Sequence, residues 1–282
     1  MRAGESAGMP DERRPAAIAW LTIVAGLAVA LALLLGAQQL AARLTVPSMA
    51  AALTVFYTLL FAPLALLALL LGRMERRPAW RLGSQPGCWG LIALACGVGG
   101  LALCVAFVWL HGSLRPAPAA AEAAAALLAL GLALTLLQVG AEELLFRGWL
   151  LPAIAERLGL WLGVLLSAAA FSAFHLVGGI TQPYSLVNLM LGGVWFGLLA
   201  WRSGGLVAPL AAHLGWNVAE DLGLGLVPNP GRGDFGAILD RDIVGPALWG
   251  GSDEGLNASV AMTVVLLALI LPLLPGIARR PQ

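Results

Sequence analysis

Residues 127–150 read LLALGLALTLLQVGAEELLFRGWL. An uncharged apolar run ends in Glu142 and Glu143, Arg147 follows, and apolar sequence resumes. A helix that is hydrophobic all round belongs inside a membrane or a deep core, not on a soluble surface. Ionisable residues within such a helix are costly, about 2.5–3.5 kcal/mol each at a bilayer centre on insertion scales, so they face protein or a water cavity. This stretch therefore decides two questions together: what solvent the fold lives in, and where its chemistry sits.

The rest of the chain agrees on the solvent. Its 282 residues are 60% hydrophobic and 11% charged, with a mean hydropathy of +0.89. Those values exclude an ordinary soluble domain. Apolar segments near 15–40, 48–72, 87–110, 119–141 (continuing to about 155), 158–178, 183–201, 205–222 and 258–277 are long enough, or nearly so, to cross a bilayer as helices. Alternating β-barrel patterning is absent. The expected fold is all-α: a polytopic membrane bundle of about eight transmembrane helices around a polar intramembrane cavity. Its expected division is a cytoplasmic tail (1–14), a single membrane domain (15–278) and a second cytoplasmic tail (279–282). The start reads as a retained signal anchor, because the apolar run after it is too long for a cleaved signal.

Arginine placement orients the bundle. All 16 basic residues are arginine. With the N-terminus inside, the inner segments hold eleven (among them Arg73, Arg76, Arg77, Arg81, Arg157 and Arg202) and the outer loops four: Arg43, Arg115, Arg232 and Arg241. That asymmetry predicts both termini in the cytoplasm. Lysine is absent while alanine, leucine and glycine abound, which suggests a bacterial chain and hence the inner (plasma) membrane. A net charge of +1 says nothing about nucleic acid; no basic stripe is present, and no nucleic-acid partner is expected. Cys88, Cys96 and Cys104 share one apolar segment at helical spacings that neither pair as disulfides nor form a zinc pattern. Gly193 and Gly197 form a G-x-x-x-G packing motif. Trp80, Trp89, Trp109, Trp149, Trp161 and Trp201 fall near segment ends, as interfacial belts do. The loop 223–257 reads as irregular.

The polar residues inside the spans are few. Glu143 and Arg147 stand at i and i+4 in the favourable order for an ion pair, so they can satisfy each other. Glu142 is about 100° further round the helix with no partner in that run, and must meet another helix. Two of three histidines lie within spans: His175, and His213 with Asn217 at i+4. A carboxylate, two imidazoles and a carboxamide converging in a bundle make a water-activating site. Two chemistries fit these residues. Glu142 can take a proton from water held by the imidazoles and the amide; or Glu142, His175 and His213 can bind a zinc ion with an open position. Asn188 is a weaker member of the set. Glu122 reads as interfacial, and Glu220 and Asp221 as closing the seventh span toward outer water. Two alternatives of other classes stand beside these: a proton-coupled transporter, and a non-catalytic scaffold or immunity protein.

E-E-x-x-x-R (Glu142, Glu143, Arg147), then F-x-x-x-H (Phe171, His175), then H-x-x-x-N (His213, Asn217), in order on successive hydrophobic segments, resembles the CAAX protease and bacteriocin-processing (Abi) family, which includes the type II prenyl-protein endopeptidases. The resemblance spans about residues 120–222. It implies an intramembrane endopeptidase acting on membrane-associated protein or peptide substrates in the lipid bilayer. On it, Glu142 is the base, Glu143 with Arg147 organises the site, and His175, His213 and Asn217 bind water, metal or oxyanion. The family is commonly labelled metalloprotease, and a metal-free, glutamate-activated water competes with that label. Counted along straight helices, however, His175 and His213 lie at different depths, so convergence predicts a sunken or broken segment near 150–158, around Pro152, beside a water-filled cavity.

Overall fold

The computed structural model describes residues 16–46, 48–117, 125–226 and 235–275. Nearly all of it is helical. In chain order the helices are α1 (Ala16–Ala41), α2 (Met49–Met74), α3 (Pro86–Leu110), α4 (Ala125–Glu143), α5 (Leu151–Leu158), α6 (Leu160–Gly178), α7 (Pro183–Ser203), α8 (Val207–Val218) and α9 (Val260–Ile270). Within the described residues each of the eight apolar segments forms helix, and six of the helices described are long and apolar enough to span a membrane. The seventh and eighth are shorter: α8 runs 12 residues before a π-helical turn, and α9 runs 11 before a 3₁₀ turn. The protein is a multi-pass membrane protein. The tails and Glu122 lie outside the described residues.

The expected break near 150–158 is not a break. α4 passes into a π-helix at Leu144–Leu150 and on into α5, one run from Ala125 to Leu158. Pro152 follows directly on the π-helix inside this continuous run, so its missing N–H falls at the widened turn and not at a helix start. The widened turn returns the Leu151 N–H to the Phe146 carbonyl, and the Ser167 hydroxyl of α6 donates to that same carbonyl at 2.8 Å. The run is sunk into the bundle as predicted: Trp149, Leu150, Leu151, Ala153 and Ile154 are all buried. Trp149 is thus a core residue packed against Gly26 and not part of an interfacial belt. Trp80, Trp109 and Trp161 do remain exposed. At Gly159 the chain adopts φ 84°, a left-handed value that favours glycine, and turns α5 back along α6.

Two apolar clusters flank the polar interior. One joins α1, α2, α4 and the π-helix; the other joins α3, α7, α8 and α9. Small residues set the spacing. A methyl group on Gly193 would lie 2.9 Å from the Ala168 Cα of α6, so the G-x-x-x-G motif lets α6 and α7 touch. α8 packs Ala212 and Gly215 against Gly97 and Leu94 of α3, and its other face, with His213, Asn217 and Glu220, turns to the seam between the clusters. Outside the spans, Leu114–Pro116 (β1) pairs antiparallel with Arg241–Ile243 (β2), so the long loop is more ordered than its sequence suggests.

Long-range polar clasps fix α7. Asn188 donates to the carbonyls of Asn257 (2.8 Å) and Ser259 (2.9 Å) and accepts from Thr263 Oγ1 (2.6 Å), which makes it a tie to α9. Glu254, 8% exposed, accepts the backbone N–H groups of Thr181 (2.8 Å) and Gln182 (3.1 Å), a carboxylate cap brought to the start of α7 from the loop. Burial alone would raise its pKa, but the nearby Ser185 hydroxyl and the hydrogen bonds from Thr181 and Gln182 together outweigh that and hold it below the ordinary carboxylate value. A depressed folded pKa contributes stability above the unfolded value and loses it as pH falls through the folded one. The wild type is therefore expected to exceed Glu254→Gln in stability by about 1 kcal/mol at neutral pH, with the gap closing from about pH 4.3 downward. Thermal unfolding in detergent across pH checks this; a gap independent of pH contradicts it.

Candidate active site

At the start of the π-helix the two glutamates part company. Glu143 is fully buried, and its Oε1 accepts from Arg147 Nη1 at 3.0 Å and from His213 Nδ1 at 2.9 Å. An ionised carboxylate only accepts hydrogen bonds, so Nδ1 of His213 carries a proton, and Nε2 keeps its lone pair when the ring is neutral. That Nε2 lies 3.7 Å from Glu142 Oε2, too far for a hydrogen bond and close enough for both atoms to contact one small group between them. Glu142 is not without a partner on its own helix, as the sequence suggested: Gln138, at i−4, donates from Nε2 to its Oε1 at 3.3 Å. Its Oε2 has no hydrogen-bond partner among the described residues.

Arg147 is caged. Its guanidinium carbon lies 4.6 Å from the Phe171 ring centroid, 5.2 Å from Phe196 and 5.8 Å from Phe146, and Nη2 donates to the Gly193 carbonyl at 3.3 Å. A planar, weakly hydrated cation suits such stacking. Phe196 also stacks on His213, with centroids 4.5 Å apart and planes at 18°. Thus one aromatic pair clamps both partners of Glu143.

His175 comes from α6. Its Nδ1 lies 2.9 Å from the Phe171 carbonyl, so Nδ1 donates and Nε2 is the acceptor of the neutral ring. Phe171 stands between the histidines, with centroid distances of 4.5 Å to His175 and 6.1 Å to His213. Glu142, His175, His213 and Asn217 all line one cavity of about 460 Å³ at the seam of the clusters, so the depth conflict read from straight helices does not keep them apart. Glu143 and Arg147 stand behind it as braces. Glu220 is a correction: it does not face outer water but is buried on the π-turn Ala219–Gly223 and lines the same cavity, with Asp221 buried beside it.

Glu142, His175 and His213 are the donors a three-ligand metal site here would use. Among the described residues no three His, Cys, Asp or Glu side chains stand grouped as metal ligands. In this arrangement Glu142 and His213 can share one small group, and His175 does not stand with them as a third donor.

Residues 124–219 match the Rce1-like family, described as type II CAAX prenyl endopeptidase. All six motif residues fall in that span, so the matched segment carries α4 through α8 and every candidate site residue of the motifs. No curated protein and no solved structure matches the chain. Gln138 also lies within the Rce1-like segment; its i−4 spacing to Glu142 was the signal available in the sequence. Glu220 lies one residue beyond it, and its i+7 spacing from His213 placed it on the same face.

Removing one side of a buried pair strands the other charge in low dielectric. Arg147→Leu is expected to cost about 3–5 kcal/mol, with part recovered in Glu143→Gln/Arg147→Leu, where the stranded carboxylate is gone. Denaturant titration of the purified variants reads both. A loss under about 1 kcal/mol for the single variant, as for solvent-screened pairs, contradicts the dry brace.

Proposed function

We propose that this protein is an intramembrane endopeptidase whose base is Glu142 and whose water sits between Glu142 Oε2 and His213 Nε2. The observation that carries the reading is the 3.7 Å gap between those two acceptors beside a cavity large enough for a peptide segment. A water there donates one hydrogen to each. As its oxygen attacks the peptide carbonyl carbon, Glu142 takes a proton and later delivers it to the leaving nitrogen when the C–N bond breaks. Asn217 supplies the N–H donor for the developing oxyanion. His175, whose cavity-side nitrogen is an acceptor when neutral, holds water or substrate N–H and does not donate to the oxyanion. Glu143 keeps His213 in the required tautomer, with Arg147 neutralising its charge. No step passes through a metal.

The arginine asymmetry supports both ends in the cytoplasm, and the lysine-free, alanine-rich composition supports a bacterial inner membrane. Peptide maturation or regulated cleavage of membrane proteins suits such a host better than prenylated C-termini.

The test is a cleavage assay on membrane-protein and peptide substrates with protein in nanodiscs. Glu142→Gln and His213→Ala are expected to lose at least about 10³-fold in kcat with the fold intact, on the scale of losing a general base and the group that orients its water. Chelators are expected to leave the rate unchanged. Full turnover by both variants sinks the glutamate–water reading; loss of activity on chelation, restored by zinc, replaces it with Glu142, His175 and His213 as ligands.

A further inference from the structure

The end of the bundle away from β1 and β2 gathers positive charge. Arg73 lies in the last turn of α2, Arg76, Arg77 and Arg81 follow it, and Arg157 and Arg202 lie in the last turns of α5 and α7. Against these six stand two carboxylates among the described residues of that end, Glu75 and Glu156. Three of the cations serve the fold. Arg77 pairs with Glu156 and donates to the Pro152 carbonyl at 3.3 Å, Arg157 donates to the Ala153 carbonyl, and Arg202 donates to the Leu273 carbonyl at 2.8 Å. Arg73, Arg76 and Arg81 are exposed, and so are Met74, Trp80 and Leu82 beside them. Burial lowers the pKa of Arg77, Glu75 opposes that, and Arg157 and Arg81 lower it further, so the cations stand close enough to repel. Arginines beside an exposed tryptophan at the end of a span have the chemistry of a phospholipid interface, with guanidinium for phosphate and indole at headgroup depth.

The strap that carries them is pinned from behind. The chain turns at Arg76 (φ 56°), and the Arg77 N–H returns to the Gly72 carbonyl at 2.7 Å. Ala79 is buried, and its carbonyl lies against Gly148 of the π-helix, leaving no room for a methyl group there. The Arg81 carbonyl accepts the Leu206 N–H at 2.8 Å, and the Ser84 N–H donates to the Ser203 carbonyl at 2.7 Å, which ties the same strap to the turn that starts α8. Residues 76–84 therefore bear on both runs that meet at Glu143: the π-helix with Arg147, and α8 with His213. We propose that the exposed face of residues 73–82 docks the headgroups of anionic phospholipids, and that lipid held there clamps the strap against the π-helix and the start of α8. On the orientation proposed above this is the cytoplasmic end, facing the leaflet with negative surface potential. Each arginine near such a surface contributes about a fivefold preference for it.

The test titrates the protein in zwitterionic micelles with phosphatidylglycerol or phosphatidylcholine labelled on the acyl chain, and energy transfer from tryptophan reads binding. Phosphatidylglycerol is expected to bind about tenfold tighter or more. Arg73→Gln/Arg81→Gln is expected to lose most of that preference, and Arg73→Lys/Arg81→Lys to keep it. Arg115→Gln/Arg241→Gln removes the same charge from the opposite end and is expected to leave the preference intact. Hydrogen exchange at the Leu206 amide is expected to slow roughly tenfold when phosphatidylglycerol binds. Any one of four results overturns the inference: no preference between the lipids, equal losses from the two glutamine variants, full displacement by millimolar inorganic phosphate, or Leu206 exchange unmoved by bound phosphatidylglycerol. Cleavage plays no part in either readout, so the outcome is independent of the peptidase reading.

Discussion

One carboxylate oxygen organises the polar interior. Glu143 Oε1 receives the Arg147 guanidinium from one turn along its own run and the His213 ring from α8. In a bilayer neither the anion nor the cation could stay buried alone. Joined, they are neutral, and the third member inherits a fixed orientation. The aromatic clamp of Phe171 and Phe196 and the Gly193 carbonyl complete the cation's surroundings, so α6, α7 and α8 are all tied to the same point. Glu142, adjacent in sequence, is released from any bracing duty and faces the cavity. Two neighbouring glutamates therefore do unlike work because one residue step on a helix is about 100°.

The π-helix is what makes this meeting geometrically cheap. Widening begins immediately after Glu143, carries Arg147 within it, and ends just before Pro152. A second π-turn follows α8 and holds Glu220 and Asp221 inside. Such widened turns collect at functional sites because they re-aim side chains without ending a helix. The Rce1-like segment contains the first and ends at the start of the second. α1, α2 and α9 supply further walls, with Leu34, Tyr57 and Phe61 from the first two and Met262 and Leu266 from the last.

Much of this was legible in the residues. Hydropathy located every apolar helix, and i+4 spacing separated Glu143 with Arg147 from Glu142 and put His213 and Asn217 on one face. What escaped was mostly of two physical kinds. Some depends on partners far along the chain: the His213–Glu143 bond spans 70 residues and the Glu254 cap on α7 spans 73, and no local pattern encodes either. Some depends on helical winding: π-turns leave no mark on hydrophobic periodicity, so a break was expected at Pro152 and water was expected around Glu220. Trp149 was misjudged because a tryptophan near a segment end signals an interface only where the helix ends there, and this one continues to Leu158. Gln138 was the avoidable omission, since its spacing to Glu142 is the same i, i+4 relation that revealed the neighbouring pair.

The account stands or falls on the tautomer that Glu143 imposes on His213. ¹⁵N NMR of ring-labelled histidine, with His213 assigned by its substitution, reads that directly. The geometry predicts a protonated Nδ1 and a lone-pair Nε2 in the wild type at neutral pH, with the preference lost in Glu143→Leu. A wild-type His213 protonated at Nε2 alone, with a bare Nδ1, would contradict it, because no lone pair would then face Glu142 across the 3.7 Å gap.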